Sequence, residues 1–186
     1  GSPTAYLAHW RLKDVAGRAG TTIDFRPMLL GAVFQATGNR TPMEIKAKGE
    51  WMEWDMNNFA ERHGIPFLMN PYFIINTLPQ MRGALVAEQR NELERYSDAM
   101  FNAIWCDGRN MGDSEVIGAT LAENGFEVAA YFAGVQEQEI KDELKRCVEH
   151  AVAKGVFGAP TFFVGDKMWF GQDRLDWIEM ELGKSQ

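Results

Sequence analysis

The stretch from residue 160 to residue 170 constrains the fold more than any other part of this chain. Pro160 is followed by Thr161-Phe162-Phe163-Val164, a short apolar run, then by Gly165-Asp166, then by Lys167-Met168-Trp169-Phe170. Two such runs separated by a Gly-Asp pair predict an antiparallel hairpin with a two-residue turn. Gly171 is read as opening a final helix, with Asp173 near its start and Leu175, Trp177, Ile178 and Leu182 on its inner face.

The opposite end of the chain is helical. Ser2-Pro3 ahead of Thr4-Ala5-Tyr6-Leu7-Ala8-His9-Trp10-Arg11-Leu12 places serine at an N-cap and proline at the first helical position, with Gly17 and Gly20 as stops. Thr21 to Pro27, in which Ile23 and Phe25 alternate with Asp24 and Arg26, predicts a strand. The following stretch, with Gly31, Gly38, Asn39, Thr41 and Pro42, reads as a loop. Helical spacing then runs from Lys48 to His63, stops at Gly64-Ile65-Pro66, and resumes over 79–91, 94–105, 113–124, 128–133 and 136–154. The order is helix, strand, helical block, hairpin, helix. No repeat is visible, so the block from about residue 38 to residue 155 is expected to be an insertion within one α/β domain spanning 1–186.

Several functions are argued against by what the chain lacks. Its net charge is −7 and its 19 Lys and Arg are scattered, which leaves no basic stripe for nucleic acid. No apolar run approaches the roughly 20 residues that cross a bilayer, so no membrane role is expected. Cys106 and Cys147 belong to no C-x-x-C pair or ligand cluster and are expected to be free, buried thiols in a reducing cytoplasm. His9, His63 and His150 have no metal-ligand spacing, and no metal is expected. Trp51, Trp54 and Phe59 read as core at helical spacing, while Glu137, Glu139, Lys141, Asp142, Glu143 and Lys145 read as a solvated helix face.

Three stretches carry a resemblance. Ser2-Pro3 before Tyr6-Leu7-Ala8-His9, Leu29-Leu30-Gly31-Ala32-Val33-Phe34 with Thr37-Gly38-Asn39, and Gly158-Ala159-Pro160-Thr161-Phe162-Phe163-Val164-Gly165-Asp166 with Phe170-Gly171-Gln172-Asp173-Arg174-Leu175 resemble the 2-hydroxychromene-2-carboxylate isomerase family. That family is related to kappa-class glutathione transferases and, more distantly, to bacterial disulfide oxidoreductases. The resemblance implies a thioredoxin-like sheet, a large all-helical insertion between its second strand and the C-terminal hairpin, and a cis Pro160 facing the N-terminus of the first helix. In that fold a strand of up to about ten residues precedes the first helix, so the resemblance implies such a segment ahead of Gly1.

The resemblance also implies glutathione as cofactor. Ser2 would donate to the glutathione sulfur from a helix N-terminus, where backbone N–H groups and the dipole favour a thiolate. On spacing alone the same serine is a plain N-cap, worth about 1 kcal/mol. A serine here also argues against disulfide exchange, which needs an attacking thiolate. Ala159 before Pro160 would pair its backbone with the cysteinyl unit as an added strand, and the Phe170-Gly171-Gln172-Asp173 segment would hold the γ-glutamyl end, Gln172 and Asp173 through a side-chain oxygen and backbone donors. Asn39 and Lys48 are further candidates for a glutathione carboxylate or an acidic substrate, each otherwise a turn or surface residue.

The implied reaction is isomerisation of a small aromatic substrate, in an aromatic-degradation setting, with a homodimer as the implied assembly. A kappa-class-like transferase acting on an electrophile and a non-catalytic glutathione or apolar-ligand binder are the alternatives. Phe34 departs from the naphthalene-pathway members, which carry a lysine suited to the substrate carboxylate near this position. That departure bears on which substrate is taken.

Overall fold

The protein is described by a computed structural model covering residues 1–184. Helix α1 (Pro3–Arg18) begins where Ser2 turns extended backbone into helix, its Oγ accepting the Ala5 N–H at 3.2 Å. Gly20, at φ +61°, takes the chain out beyond Ala19. Tyr6, Leu7, Ala8 and His9 are all buried, and four consecutive residues at about 100° each cover most of a helix circumference. This turn of the helix is therefore enclosed, whereas Trp10, Asp14 and Gly17 further along face solvent. Tyr6 and Leu7 belong to a large core, Ala8 and Val15 to a second, smaller one.

The large core is helical. Helices α3 (Lys46–His63), α4 (Leu78–Gln89), α5 (Leu93–Trp105), α6 (Ser114–Glu123), α7 (Val128–Gly134) and α8 (Gln138–Ala153) surround Met56, Leu85, Trp105, Met111, Tyr131 and Ile140. The small core is made by the hairpin, by α9 (Leu175–Gly183) and by α1. Strands β1 (Thr161–Val164) and β2 (Lys167–Phe170) pair antiparallel with Phe162 opposite Trp169 and Phe163 opposite Met168, around a turn in which Gly165 has φ +58°. Alternation then sends Phe162, Val164 and Trp169 into the small core with Leu175 and Ile178, and leaves Phe163 and Met168 half-exposed on the other face.

The hairpin and the helical block form as the sequence predicts; six other expectations do not. Thr21 to Pro27 is not a strand, because a strand is a paired element and no described segment lies beside it to complete a ladder. The following loop contains α2 (Leu30–Thr37), which ends at Gly38 in the left-handed region, φ 70°; only Gly31 breaks an otherwise helix-compatible run. Trp51 and Trp54 are exposed. Helix α3 meets the body along Gly49, Met56 and Ala60, and the two tryptophans lie roughly 140–160° around the helix from Met56. Trp177 is likewise exposed, being two residues from Leu175 and one from Ile178, which face inward. The final helix is also preceded by a separate 3-10 turn, Gln172–Arg174, that holds Asp173. Both cysteines are free but half-buried rather than buried.

Polar contacts hold α1 to both sides. The Nε2 of buried His9 lies 2.6 Å from Asp98 on α5, and Lys13 reaches Asp98 at 2.9 Å and Glu94 at 2.8 Å. Towards α9, Arg11 meets Asp176 at 2.7 Å and Arg18 meets Glu179 at 2.6 Å. The second pair of contacts is on the surface and contributes at most about 1 kcal/mol each. Burial disfavours ionised Asp98, but the bonds from His9 and Lys13 outweigh it and hold the carboxyl below its ordinary value of 3.8. A depressed carboxyl pKa stabilises the folded state above the unfolded value and loses that contribution as pH falls through the folded value. Asp98→Asn should therefore lower urea stability relative to the native chain at neutral pH. The gap should close as pH is taken below 3.8, read by denaturation midpoints across the acid range.

Candidate active site

The N-terminus of α1 and the segment leading into β1 meet face to face. The Ala159–Pro160 peptide is cis, and its Ala159 carbonyl accepts the Thr4 hydroxyl at 3.1 Å. Ser2 Oγ lies 3.5 Å from the same oxygen and 2.9 Å from Thr4 Oγ1. Ser2 is 9% exposed and Pro160 is buried. Two backbone donors remain unused beside these groups: among the described residues neither the Thr4 N–H nor the Ala159 N–H meets an acceptor. The first is an open helix end and the second lies in the bend that leads into β1.

The 3-10 turn is drawn to the same place. Gly171 N–H donates to the Pro160 carbonyl at 3.1 Å, so the residue after β2 is fixed to the residue before β1, and α1 packs against the turn that follows. Gly171 sits at φ 109°, ψ 148°, a region open essentially to glycine alone. A Cβ there would stand 2.6 Å from Asp173 Oδ1. Asp173 itself pairs with Arg174 at 2.5 Å, whereas the Gln172 side chain has no hydrogen bond among the described residues.

The remaining expected site residues fall into two groups. Asn39 donates through Nδ2 to the Phe157 carbonyl at 2.8 Å and accepts the Arg40 N–H through Oδ1; it ties the loop after α2 to the segment entering the cis peptide. The Phe170 ring stands against Gly158, where a Cβ would meet it at 2.8 Å, and packs on Phe157 with ring centroids 4.8 Å apart. Phe170 is thus a wall of this segment. Lys48, on α3, is exposed and no contact among the described residues joins it to the rest. Thr4 escaped the sequence reading. Its signal was a second hydroxyl within the first turn of a Ser-Pro helix start, which reads as ordinary until the fold brings residue 159 across 155 residues of chain to meet it.

The arrangement offers hydroxyl and N–H donors around a helix N-terminus and no thiol of its own. Cys106 touches the Tyr6 hydroxyl at 2.9 Å within the large core. Burial, with Glu143 close by, pushes the Cys147 thiol up, which makes it a poorer nucleophile. Among the described residues no group of three metal-ligating side chains assembles, and no helix is long and apolar enough to cross a membrane.

Comparison with known proteins follows the same lines. A family model described as a DsbA-like thioredoxin domain matches residues 1–183. The chain is 30% identical to 2-hydroxychromene-2-carboxylate isomerase of Pseudomonas putida over 186 residues, covering 98% of this chain and 90% of that one. It is 25% identical to human glutathione S-transferase kappa 1, covering 98% and 87%. A solved 2-hydroxychromene-2-carboxylate isomerase superposes with a TM-score of 0.88 at 28% identity, covering 98% of this chain and 90% of that one.

Gly171 yields the prediction of this geometry. Gly171→Ala should lower stability by about 1–3 kcal/mol in chemical denaturation, far beyond the small change expected of Gly→Ala at a position with ordinary backbone angles.

Proposed function

The chain belongs to the 2-hydroxychromene-2-carboxylate isomerase family of DsbA-like thioredoxin domains, and from that premise we propose that it isomerises a 2-hydroxychromene-2-carboxylate-type aromatic substrate with glutathione as cofactor. The observation that carries the reading is the buried Ser2 hydroxyl at the start of α1, set against the Ala159 peptide with its N–H unpaired. A thiol-bearing peptide fits this donor set. Its backbone can pair with Ala159 as an added strand does, and its sulfur then falls at a helix end lined with O–H and N–H donors.

Bound glutathione would supply a thiolate that adds reversibly to a conjugated carbon of the substrate and leaves again, which frees the intervening bond to rotate. The chain's own residues do the rest. Ser2 donates to the sulfur and favours its ionised form, helped by the dipole of α1 and the unused Thr4 N–H. Ala159 fixes the cysteinyl unit through its backbone. Gln172, with a free side-chain amide, and Asp173, shared with Arg174, take the γ-glutamyl end beyond the glycine hinge at Gly171. Asn39 acts on the same segment through Phe157, and Lys48 remains a candidate for a carboxylate at the rim.

The relation to glutathione S-transferase kappa 1 supports a second reading, transfer of glutathione to an electrophile. The two differ in one observable: isomerisation leaves the glutathione concentration unchanged, and transfer consumes it.

The test is thermal unfolding with and without millimolar glutathione, with S-methylglutathione as the masked-thiol control, in the native chain and in Ser2→Ala. Glutathione should raise the native midpoint, since a ligand that binds only the folded state stabilises it. Loss of a hydrogen bond to a charged sulfur is worth about 1.5–3 kcal/mol. Ser2→Ala should therefore lower the isomerisation rate roughly ten- to hundredfold and shrink the difference between the two ligands. A native midpoint that saturating glutathione leaves unmoved would rule the reading out.

A further inference from the structure

Two hydroxyls compete for one carbonyl at the start of α1, and their hydrogens can be assigned. Thr4 Oγ1 is 3.1 Å from the Ala159 oxygen and Ser2 Oγ is 3.5 Å from it, so Thr4 is the better-placed donor. A threonine hydroxyl carries one hydrogen. With that hydrogen on Ala159, the 2.9 Å contact between the two hydroxyls must be filled by Ser2 donating to Thr4. Ser2 Oγ meanwhile accepts the Ala5 N–H at 3.2 Å. The chain of donation therefore runs from Ala5 N–H to Ser2, from Ser2 to Thr4, and from Thr4 to the Ala159 carbonyl. In this order the Ser2 hydrogen points away from any ligand.

The proposed ligand needs the opposite order. An added strand at Ala159 presents a second donor to the carbonyl on which Thr4 donates, so the two share one acceptor and the Thr4 bond weakens, and a thiolate needs the hydrogen that Ser2 gives to Thr4. Both needs are met by one rearrangement in which each hydroxyl turns about its own C–O bond. Thr4 releases Ala159 and donates across the same 2.9 Å to Ser2; Ser2, now accepting from both Thr4 and Ala5, donates to the sulfur. The hydroxyl hydrogens are conserved: two donors serve two acceptors before and after, with the ligand N–H taking over at Ala159.

We propose that Thr4 is a positioning residue which couples recognition of the ligand backbone at Ala159 to stabilisation of the thiolate by Ser2. The proposal rests on the glutathione reading and adds a residue and a coupling to it. Occupation of the Ala159 carbonyl is the signal, and the direction of the Ser2 O–H is the response. A hydroxyl that accepts a strong bond is itself a stronger donor, so Thr4 in its second orientation also sharpens the Ser2–sulfur bond. A sulfur compound without a peptide N–H at the right place would leave Thr4 on Ala159 and Ser2 turned away, which makes the coupling a device for selecting thiol peptides over simple thiols.

Thr4→Val removes the hydroxyl and keeps the side-chain shape; Thr4→Ser keeps the hydroxyl. The readouts are the pKa of the bound glutathione thiol, from ultraviolet thiolate absorbance against pH, and the affinity for γ-glutamyl-alanyl-glycine, which has the peptide N–H and no sulfur. Thr4→Val should raise the bound thiol pKa by roughly half a unit. It should bind the sulfur-free peptide as tightly as the native chain or more tightly, because the carbonyl no longer has a competitor. Thr4→Ser should restore the native thiol pKa. A threonine with only a structural role would weaken both ligands together, and that result overturns the coupling, as does an unchanged thiol pKa in Thr4→Val. Failure of the native chain to bind glutathione overturns the coupling and the proposed function at once, whereas tight native binding with no Thr4 effect overturns the coupling alone.

Discussion

Burial of α1 over the consecutive residues Tyr6 to His9, between two cores, is the constraint from which the rest of the structure follows. A helix with one apolar stripe can tilt or slide on its neighbour, but where Tyr6, Leu7, Ala8 and His9 are all buried there is no free face at that turn to move towards, and the exposed face begins only with Trp10 and Asp14. Its two cores are chemically different partners. The larger is a bundle of helices around Trp105 and Tyr131; the smaller is the hairpin and α9 around Leu175. Because α1 is common to both, its first turn is held at a fixed place relative to Ala159, and hydroxyl contacts of 3.1–3.5 Å are sustained between residues far apart in the chain. The buried His9 and the Lys13 ammonium, both on Asp98, add a polar anchor on the side of α5.

How much of this could be read in advance depended on the kind of signal. The hairpin was legible because turn chemistry and alternation are both local: Gly165-Asp166 and the flanking runs need no knowledge of the remainder. The helical block was legible for the same reason, its periodicity and glycine stops lying within each segment. Thr21 to Pro27 was misread because alternation shows only that a segment can be extended, and pairing is a property of its neighbours. Trp51, Trp54 and Trp177 were misread because helical spacing groups residues on a face without saying which face meets the body; that stripe is set by Gly49, Met56 and Ala60 on α3 and by Leu175 and Ile178 on α9. The site divides likewise. Ser2 and Ala159-Pro160 stood out by pattern, and the structure joins them; Thr4 carried no pattern, since its partner is a carbonyl oxygen that any residue at 159 would supply.

Replacing a thiol by a hydroxyl at the start of this helix changes what the site can do without changing its shape. Thiol–disulfide exchange needs a sulfur nucleophile on the protein, and neither Cys106 within the large core nor Cys147, with its raised thiol pKa, supplies one at the helix end. A serine is a hydrogen-bond donor and a poor nucleophile at neutral pH. On the proposed reading, the frame that would poise a protein thiolate poises one brought in from solution, and reactivity becomes conditional on a ligand. Such a site is selective only if it distinguishes a correctly seated thiol from any other, and backbone pairing at Ala159 is the available means, because it reads the ligand's peptide rather than its sulfur.

The charge distribution around α1 is consistent with that division. The chain carries 26 Asp and Glu and a net charge of −7, and acidic residues stand in the first turns of α5, α6, α8 and α9, at Glu94, Glu115, Glu139 and Asp176. There they offset the positive end of each helix dipole at little cost. The first turn of α1 has none, a feature it shares with α2, α3, α4 and α7. A carboxylate in that turn would satisfy the open N–H groups and stabilise the helix by a few tenths of a kcal/mol or more, but it would also fill the space of an anionic ligand and repel it. The neutral Ser2 hydroxyl caps the helix without neutralising its dipole, so on the proposed reading the electrostatic attraction stays available to a thiolate. On the proposed reading, the absence of a carboxylate from the first turn of α1 leaves room for an anion in a protein whose overall charge opposes one.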